Sequence, residues 1–297
     1  MKVSFSKILA ITSLVVSTSA QRIVLTNDDG WAVAQIRDEY NFLTAAGYEV
    51  ILSAPAVDNS GTGSSTTTPT PLTTACQFNT CPSGSPATGT DPSDPNIHYV
   101  NAFPVDAVRL GIQEFAEARW GDKPDFVVSG SNVGNNLGSG ISGSGTVGAA
   151  SEAALEGIPS FAFSGASTSS VSYTTLTSSP NSSSTIAANT YSSLIIKFLS
   201  TIRAGGSSTP IVPSGYSVNI NFSLSSICAL RVLIRRRCGT NNLPAETTVS
   251  VLGDILGGLA GKCVATVSVF DANTKKDAPA AAQKVVFDRL DSILTCV

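Results

Sequence analysis

Short apolar runs alternate with polar, glycine-rich segments along most of the chain, and this order predicts strands that alternate with helices. The first run predicts a strand over residues 22–26, followed by a helical stretch at 36–46 and a second strand at 48–53. This is the start of a β-α-β unit. Further buried strands are predicted at 125–129, 160–164 and 217–222. Such an order predicts an α/β fold, a three-layer sandwich whose mostly parallel sheet carries helices on both faces.

A helix is predicted from about residue 146 to residue 156, because a Gly-x-Pro sequence follows it directly. Two stretches, 61–95 and 165–184, are rich in Ser, Thr, Gly and Pro and contain little apolar material to bury. We therefore expect both stretches to form surface loops.

The pattern loosens after residue 223, where only a strand near 264–270 and a helix near 279–294 are predicted. We expect one main domain over residues 21–223. Residues 224–297 are expected to form a less regular, disulfide-stabilised C-terminal extension that completes this domain.

Residues 1–20 have the features of a secretory signal peptide: Lys2 and Lys7, an apolar stretch over 8–16, and small residues up to Ala20. The apolar stretch is too short to span a bilayer, so we expect a secreted, extracellular protein without a membrane anchor. The chain has 18 Lys and Arg against 21 Asp and Glu, a net charge of −3. This balance provides no basic surface for a nucleic-acid polymer.

Six cysteines follow this export signal, so disulfides are the expected state. Short loops favour the pairs Cys76–Cys81 and Cys228–Cys238, which leaves Cys263 with Cys296, although six cysteines permit other pairings. The cysteines lack the Cys/His spacing of a zinc site, and the chain has a single histidine, His98.

Two adjacent carboxylates, Asp28 and Asp29, directly follow the first strand, at the edge where open α/β sheets bind ligands. Their hard oxygens suit Mg²⁺, Mn²⁺ or Ca²⁺. An ordinary turn is the alternative, since Asn, Asp and Gly favour turns. Ser60 follows the second strand at the same edge, where its hydroxyl could approach the same ion; a flexible loop is the alternative there.

A third polar loop, containing Asn132 and Asn136, follows the strand predicted at 125–129. A carboxamide oxygen is a good ligand for a hard cation, although asparagine also supplies left-handed turn conformations. Ser144-Gly145-Thr146 then opens the predicted helix. A helix N-terminus suits an anion such as phosphate, and an ordinary Ser/Thr N-cap is the alternative.

Four stretches, in this order and spacing, resemble the SurE family of nucleotidases and acid phosphatases. They are residues 23–30, residues 54–63 with Ala-Pro and Asn-Ser-Gly-Thr-Gly, residues 124–132, and residues 144–150. The resemblance covers roughly residues 22–223 and implies a Rossmann-like α/β domain. Ser131, Gly143 and Ala102-Phe103 depart from the family pattern, which affects substrate choice and rate more than metal binding.

The resemblance implies that four side chains bind a divalent cation, Mg²⁺ or Mn²⁺ first and Ca²⁺ as an alternative: Asp28, Asp29, Ser60 and Asn132. It also implies that a second group lies near the phosphate: Asn27, Asn136, Ser144, Gly145 and Thr146. Dimers or higher assemblies are a further implication.

The expected activity is hydrolysis of small phosphomonoesters, either nucleoside monophosphates or general acid-phosphatase substrates. Asp28 and Asp29 are the expected catalytic residues, with a metal-activated water attacking phosphorus and direct attack by Asp28 as the open alternative. A histidine-nucleophile mechanism is excluded because it requires two histidines. The competing hypothesis is a secreted protein that keeps the fold and binds metal or phosphate without turnover.

Two further features concern the surface. Asn181 and Asn221 both fit the N-glycosylation pattern, and Asn181 is the better acceptor because Asn221 lies in a predicted strand. Trp31, next to the aspartates, is interpreted first as a packing residue, with stacking on a substrate base as the alternative.

Overall fold

The computed structural model describes residues 20–165, 169–205, 210–222, 233–236 and 264–296. In this part of the chain ten strands form a single sheet. The strands are β1 (Arg22–Thr26), β2 (Glu49–Pro55), β3 (Thr88–Asp91), β4 (Asp94–Val100), β5 (Phe126–Val133), β6 (Ser160–Gly165), β7 (Tyr216–Phe222), β8 (Leu233–Arg236), β9 (Val264–Asp271) and β10 (Leu294–Cys296). The predicted signal segment lies outside the described residues except for Ala20.

The sheet has the strand order β10-β8-β9-β7-β6-β5-β1-β2-β4-β3 and is parallel except at the β3–β4 and β7–β9 pairs. β1 lies between β2 and β5, and Leu25 is in register with Leu52 and Val128. From β1 the chain builds outward through β2 on one side and through β5, β6 and β7 on the other. The topological switch point therefore lies between β1 and β5, where open α/β sheets bind their ligands.

Helices cover both faces of the sheet, which confirms the predicted three-layer α/β sandwich. The described helices are α1 (Ala34–Ala45), α2 (Pro104–Leu110), α3 (Ala116–Trp120), α4 (Gly140–Gly143), α5 (Gly145–Leu155), α6 (Thr175–Ser178), α7 (Ser183–Ala204) and α8 (Ala280–Leu290). α1, α7 and α8 pack in one layer, and α2, α3 and α5 in the other. None of the described helices combines the length and apolarity that a bilayer crossing needs.

The central strand is apolar on both sides because both of its faces are covered. Ile23 and Leu25 belong to the core under α1 and α7, whereas Val24 belongs to the core under α2 and α5. Side chains alternate between the faces of a strand, so a strand between two helical layers has a continuous apolar sequence. The predicted buried strands share this pattern, and the structure confirms each of them within two residues at its start.

The two polar stretches predicted as loops are only partly loops. Residues 88–95 form β3 and the beginning of β4, held by antiparallel pairing. The second stretch contains α6 and the first residues of α7. Both predictions are wrong at these positions because backbone pairing and a Ser/Thr-rich first turn require few apolar side chains.

Helix α7 was not predicted, although its second half contains a helical stripe. Leu194, Ile195, Phe198, Leu199 and Ile202 recur at the spacing of one helix face, and all are buried. The predicted C-terminal helix is confirmed but ends at Leu290, because a 3₁₀ turn and β10 follow it.

Cys76 and Cys81 form a disulfide, as predicted. Cys76 is buried against the core under α1, so this bond anchors the long loop between β2 and β3. The predicted pair Cys228–Cys238, and the partner Cys263 of Cys296, lie outside the described residues.

Three consecutive charged side chains of α1 are buried, and each contacts a different element. The partners are Asp91 for Arg37, the Ser192 hydroxyl for Asp38, and the Ser131 amide for Glu39, at 2.5, 2.6 and 2.8 Å. Burial raises the pKa of Asp38 to about 6 and that of Glu39 to about 8. Polar contacts therefore fix α1 against β5, β3 and α7.

Replacing a buried aromatic ring of α7 should destabilise the fold far more than replacing an exposed side chain of the same helix. Phe198 is fully buried against Phe161 and Phe163. Phe198→Ala should lower the free energy of unfolding by about 3–5 kcal/mol, whereas the exposed control Ile186→Ala should change it by about 0.5 kcal/mol or less. Urea titrations of both variants measure the difference, and equal effects would contradict the assigned position of α7.

The stability of the protein should fall as pH rises through the range set by Glu39. The folded state retains a proton that the unfolded carboxyl loses near its ordinary pKa, so stability decreases from about pH 4.5 until the pH passes about 8. Glu39→Gln should reduce this slope, to which the raised pKa of Asp38 also contributes, and raise the free energy of unfolding at pH 7 by roughly 2–4 kcal/mol. Urea titrations between pH 5 and pH 8 measure this pH dependence, and Glu49→Gln, at an exposed position, is the control. If the free energy of unfolding of Glu39→Gln changed with pH as steeply as that of the wild type, the raised pKa of Glu39 would be contradicted.

Candidate functional site

The turn after β1 holds two aspartates side by side at the carboxyl edge of the sheet. The side-chain nitrogen of Asn27 donates to the Gly30 carbonyl at 3.1 Å, and the backbone amide of Gly30 donates to Asn27 Oδ1 at 3.2 Å. Gly30 has a φ of +110°, and a Cβ there would lie 2.3 Å from Gln77 Oε1. Asn27 and Gly30 thus fix the turn, and Asp28 and Asp29 are both only 3% exposed within it.

Asp28 contacts the N-terminus of α5. The Thr146 hydroxyl donates to Asp28 Oδ1 at 2.6 Å, and the Thr146 backbone also donates to this carboxylate. A Cβ on Gly145 would lie 2.8 Å from the Asp28 Cβ, so only glycine permits this approach. Ser144 caps the helix by accepting from the Val147 amide at 3.1 Å. Donors of the first turn are therefore already engaged by Asp28 and Ser144.

Asp29 contacts the loop that follows β5 on the other side of the switch point. The Val133 amide donates to Asp29 Oδ2 at 2.9 Å. The neighbouring Asn132 is 8% exposed, and its amide nitrogen donates to the Gly134 carbonyl at 2.8 Å. This bond orients the carboxamide through its nitrogen, and the carboxamide oxygen takes no part in it.

The loop after β2 lies against both the aspartates and α5. The Asn59 amide donates to the Asp28 carbonyl at 2.8 Å, and the Gly63 amide donates to the Gly143 carbonyl at 2.9 Å. A Cβ on Gly148 would lie 1.9 Å from the Gly63 carbonyl oxygen, so this loop and α5 are in direct contact. Ser60, between these anchors, is exposed.

The buried pair of carboxylates has perturbed protonation. Burial raises the pKa of Asp28, and the bonds from Thr146 oppose this rise. Burial raises the pKa of Asp29 further, and the negative charge of Asp28 adds to the effect. Since desolvation and mutual repulsion both disfavour the ionised forms, a cation between these groups would favour ionisation of both.

Asn136 is brought to the same edge but is held by the next two strands. Its side-chain nitrogen donates to the Ser164 hydroxyl at 2.9 Å. Its backbone amide donates to the Asn221 side chain, and its carbonyl accepts from the side chains of Asn219 and Asn221, both in β7. Neither of these two asparagines was predicted as a site residue. Their spacing of two residues on one strand was the available signal, because it places both side chains on one face. Asn221 is only 3% exposed, whereas Asn181, the preferred glycosylation acceptor, is exposed.

The two remaining residues considered from sequence are packing residues. Trp31 is 3% exposed and packs against the Tyr99 ring, which confirms its interpretation as a core side chain. His98 stacks on Phe115 with ring centroids 4.1 Å apart, and burial lowers its pKa. A cavity of about 390 Å³ beside α1 is lined by Arg37, Tyr40 and Tyr173 among others and includes none of the predicted site residues.

The candidate donor set combines two carboxylates with two neutral oxygen-bearing side chains. Within the described ranges, no group of three or more His, Cys, Asp and Glu side chains is arranged to hold a metal ion. The candidate donors are the two aspartates at the switch point, the Asn132 carboxamide next to the residue whose amide binds Asp29, and the Ser60 hydroxyl in a loop whose Asn59 backbone amide binds Asp28. Such oxygen donors fit a hard divalent cation that keeps part of its water shell, and do not fit zinc or copper.

Comparison with known proteins places the chain in one family. The family model described as "Survival protein SurE" matches residues 23–237. An acid phosphatase of Yarrowia lipolytica is 35% identical over 211 residues, which are 69% of this chain and 58% of that protein. A 5'-nucleotidase SurE of Lawsonia intracellularis is 39% identical over 142 residues, 48% of this chain and 50% of that protein. The chain thus spans about half the length of the curated relatives it matches.

A solved structure supports the same assignment at the level of the fold. The crystal structure of the SurE protein from Aquifex aeolicus matches with a TM-score of 0.51 and 27% identity, covering 75% of each chain. The family match includes β1, β2, β5 and the start of α5, the elements that carry the aspartates and their partners. The chain belongs to the SurE survival-protein family.

Proposed function

We propose that this protein hydrolyses phosphomonoesters with the help of a divalent cation bound at the switch point between β1 and β5. The observation that carries the proposal is the pair of buried aspartates, which two loops and the N-terminus of α5 contact. The names of the relatives, acid phosphatase and 5'-nucleotidase SurE, support the same class of reaction.

Four side chains would hold the cation: Asp28, Asp29, Ser60 and Asn132. One atom of each group accepts or donates a hydrogen bond: Oδ1 of Asp28, Oδ2 of Asp29 and the side-chain nitrogen of Asn132. The other oxygen of each group does not take part in that bond. A side chain that is already held by one hydrogen bond, and that still has an oxygen available, needs little reorganisation when an ion binds. When bound, the cation would supply positive charge that neutralises the phosphoryl oxygens and lowers the pKa of coordinated water.

The chain's own residues would orient the phosphate beside this position. The N-terminus of α5 meets Asp28, so a phosphoryl group near Ser144, Gly145 and Thr146 would experience the positive end of an 11-residue helix. Asn136 would contact the same substrate from the β6 side, because Ser164 and β7 hold it rigidly. Asn27 would act mainly by fixing the turn that presents the aspartates.

Hydrolysis needs an in-line nucleophile and an acceptor for its proton. Burial beside a second carboxylate raises the pKa of Asp29, and a bound cation would oppose this rise by favouring the ionised form. Asp28, which accepts bonds from Thr146, is the better candidate to remain ionised. Water is the proposed nucleophile and direct attack by Asp28 is the alternative, because an ionised carboxylate is itself a nucleophile.

Secretion, and action on small substrates, belong to the same proposal. The Cys76–Cys81 disulfide fits an oxidising compartment. A phosphorylated small molecule fits a site between the aspartates and the N-terminus of α5 at the sheet edge. A homodimer and glycosylation at Asn181 stay predictions from the sequence.

Removal of one carboxylate should abolish metal-dependent phosphate release. Asp28→Asn keeps the size of the side chain and its bond from Thr146 but removes the charge, so kcat should fall roughly 10²-fold or more. The assay is phosphate release from p-nitrophenyl phosphate and nucleoside monophosphates with Mg²⁺, with Mn²⁺ and with EDTA. The exposed control Asp122→Asn should retain full activity.

The wild-type chain decides between the two classes of protein considered from the sequence. Metal-dependent release that EDTA stops would support the enzyme. If the folded chain released no phosphate under any of these conditions, the proposal would fail for these substrates, and a non-catalytic binding protein would be favoured.

Pushing the loop after β2 away from α5 should also reduce activity. Gly148→Ala would place a Cβ 1.9 Å from the Gly63 carbonyl oxygen, so the loop that carries Ser60 must move. A displacement of about 1 Å should lower kcat/KM by roughly 10²-fold. Gly140→Ala, whose Cβ would meet no atom within 4 Å, is the matched control. Equal kcat/KM in both variants would show that the position of this loop does not matter.

A further inference from the structure

We propose that Asp58 is a positioning residue that orients the Ser60 hydroxyl for the cation, an inference that rests on the proposed function. Asp58 is exposed and lies two residues before Ser60 in the loop after β2. Its Oδ1 accepts from both the Ser60 amide, at 2.8 Å, and the Ser60 hydroxyl, at 2.7 Å.

The bond to the hydroxyl decides what Ser60 can offer to a ligand. A serine hydroxyl has one proton and two acceptor lone pairs. Because the proton is donated to Asp58, the oxygen meets any further partner only as an acceptor. A cation requires such an oxygen, whereas a phosphate oxygen would require a donor. Asp58 therefore selects between the two uses of Ser60.

The backbone of the loop is also held by bonds that do not involve Asp58. The Asn59 amide donates to the Asp28 carbonyl, and the Thr62 hydroxyl donates to the Asn59 carbonyl at 2.7 Å. The Gly63 amide adds the contact with α4. These bonds hold the loop on both sides of Ser60 without Asp58, whose own bonds act on the amide and the hydroxyl of Ser60.

Asp58 is close enough to the aspartates to act on them by its charge, without being a metal ligand itself. Its negative charge contributes to the raised pKa of Asp28 and of Asp29. Within the described residues, these three carboxylates are not arranged to hold an ion together. The third charge would therefore attract a cation to the site while Asp58 stays engaged with Ser60.

The same local geometry occurs elsewhere in the chain, which provides a control. Asp91 Oδ1 accepts from the Ser93 amide and hydroxyl at 2.9 and 2.6 Å, and Asp94 Oδ1 accepts from the Asn96 amide and side chain at 2.9 and 3.0 Å. Both lie at the β3–β4 turn, away from the aspartates. An Asp-x-Ser turn alone therefore proves no site, and what distinguishes the Asp58 turn is its position beside the buried aspartates.

The test measures Mn²⁺ affinity of the full chain by titration with detection of free Mn²⁺ by electron paramagnetic resonance, without substrate. Asp58→Ala should weaken Mn²⁺ binding by about 10–100-fold. Asp58→Asn, which keeps an acceptor for Ser60 but loses the charge, should lose less. The controls Asp94→Ala and Ser93→Ala remove equivalent turn contacts and should leave the Mn²⁺ dissociation constant unchanged.

A double-mutant cycle with Ser60→Ala tests whether Asp58 acts through the serine. If it does, Asp58→Ala should have a much smaller effect on Mn²⁺ affinity in the Ser60→Ala background. A full effect in that background would overturn the positioning role. So would an unchanged dissociation constant in Asp58→Ala, or the absence of Mn²⁺ binding by the wild-type chain. Phosphate release, measured separately, decides the proposed function: Mn²⁺ binding that depends on Asp58 without turnover would support this inference and reject the enzyme.

Discussion

Two adjacent carboxylates are buried at the carboxyl end of the central strand, and the arrangement around them follows from the need to stabilise them there. Desolvation raises the pKa of both Asp28 and Asp29, and the negative charge of Asp28 raises that of Asp29 further. Hydrogen-bond donors from two separate elements oppose this rise. They are the Thr146 hydroxyl at the start of α5 and the Val133 backbone amide at the end of β5. Each of these contacts also fixes the distance between β1 and a neighbouring element, so the electrostatics of the site and the topology of the sheet are linked.

Glycines at the contact points make this close packing feasible. Gly145 meets Asp28 and Gly148 meets Gly63 at distances where a Cβ would not fit. Without them, α5 would lie farther from the turn after β1, and Thr146 would not reach Asp28. Ser144-Gly145-Thr146 therefore has a structural role in holding Asp28, besides any contact with a phosphate that substrate experiments reveal.

The sequence was sufficient to predict the central fold because its strands are buried on both faces. Residues 22–26 and 125–129 carry continuous apolar runs, and the polar residues after them could be assigned to one sheet edge from residue order alone. Helix α7 was missed despite its apolar stripe, and the other failures lie where stability comes from polar contacts. β3 has almost no apolar residues and is held by backbone pairing with β4. The loop before it is anchored to α2 by Asp106, which accepts from the Thr66 hydroxyl and the Thr67 amide. Periodicity of apolar residues detects neither kind of contact.

The same limit applies inside the candidate site. Asp28, Asp29, Asn132 and the loop of Ser60 were brought to one place by rules of topology, because residues that end parallel strands share an edge. The supporting residues were not found in this way. Asp58, Asn219 and Asn221 act through hydrogen bonds to a neighbouring side chain or backbone, and such roles depend on distances that residue order does not encode. A sequence can therefore indicate which side chains meet at a sheet edge, whereas the tertiary structure is needed to show what holds each of them in its orientation.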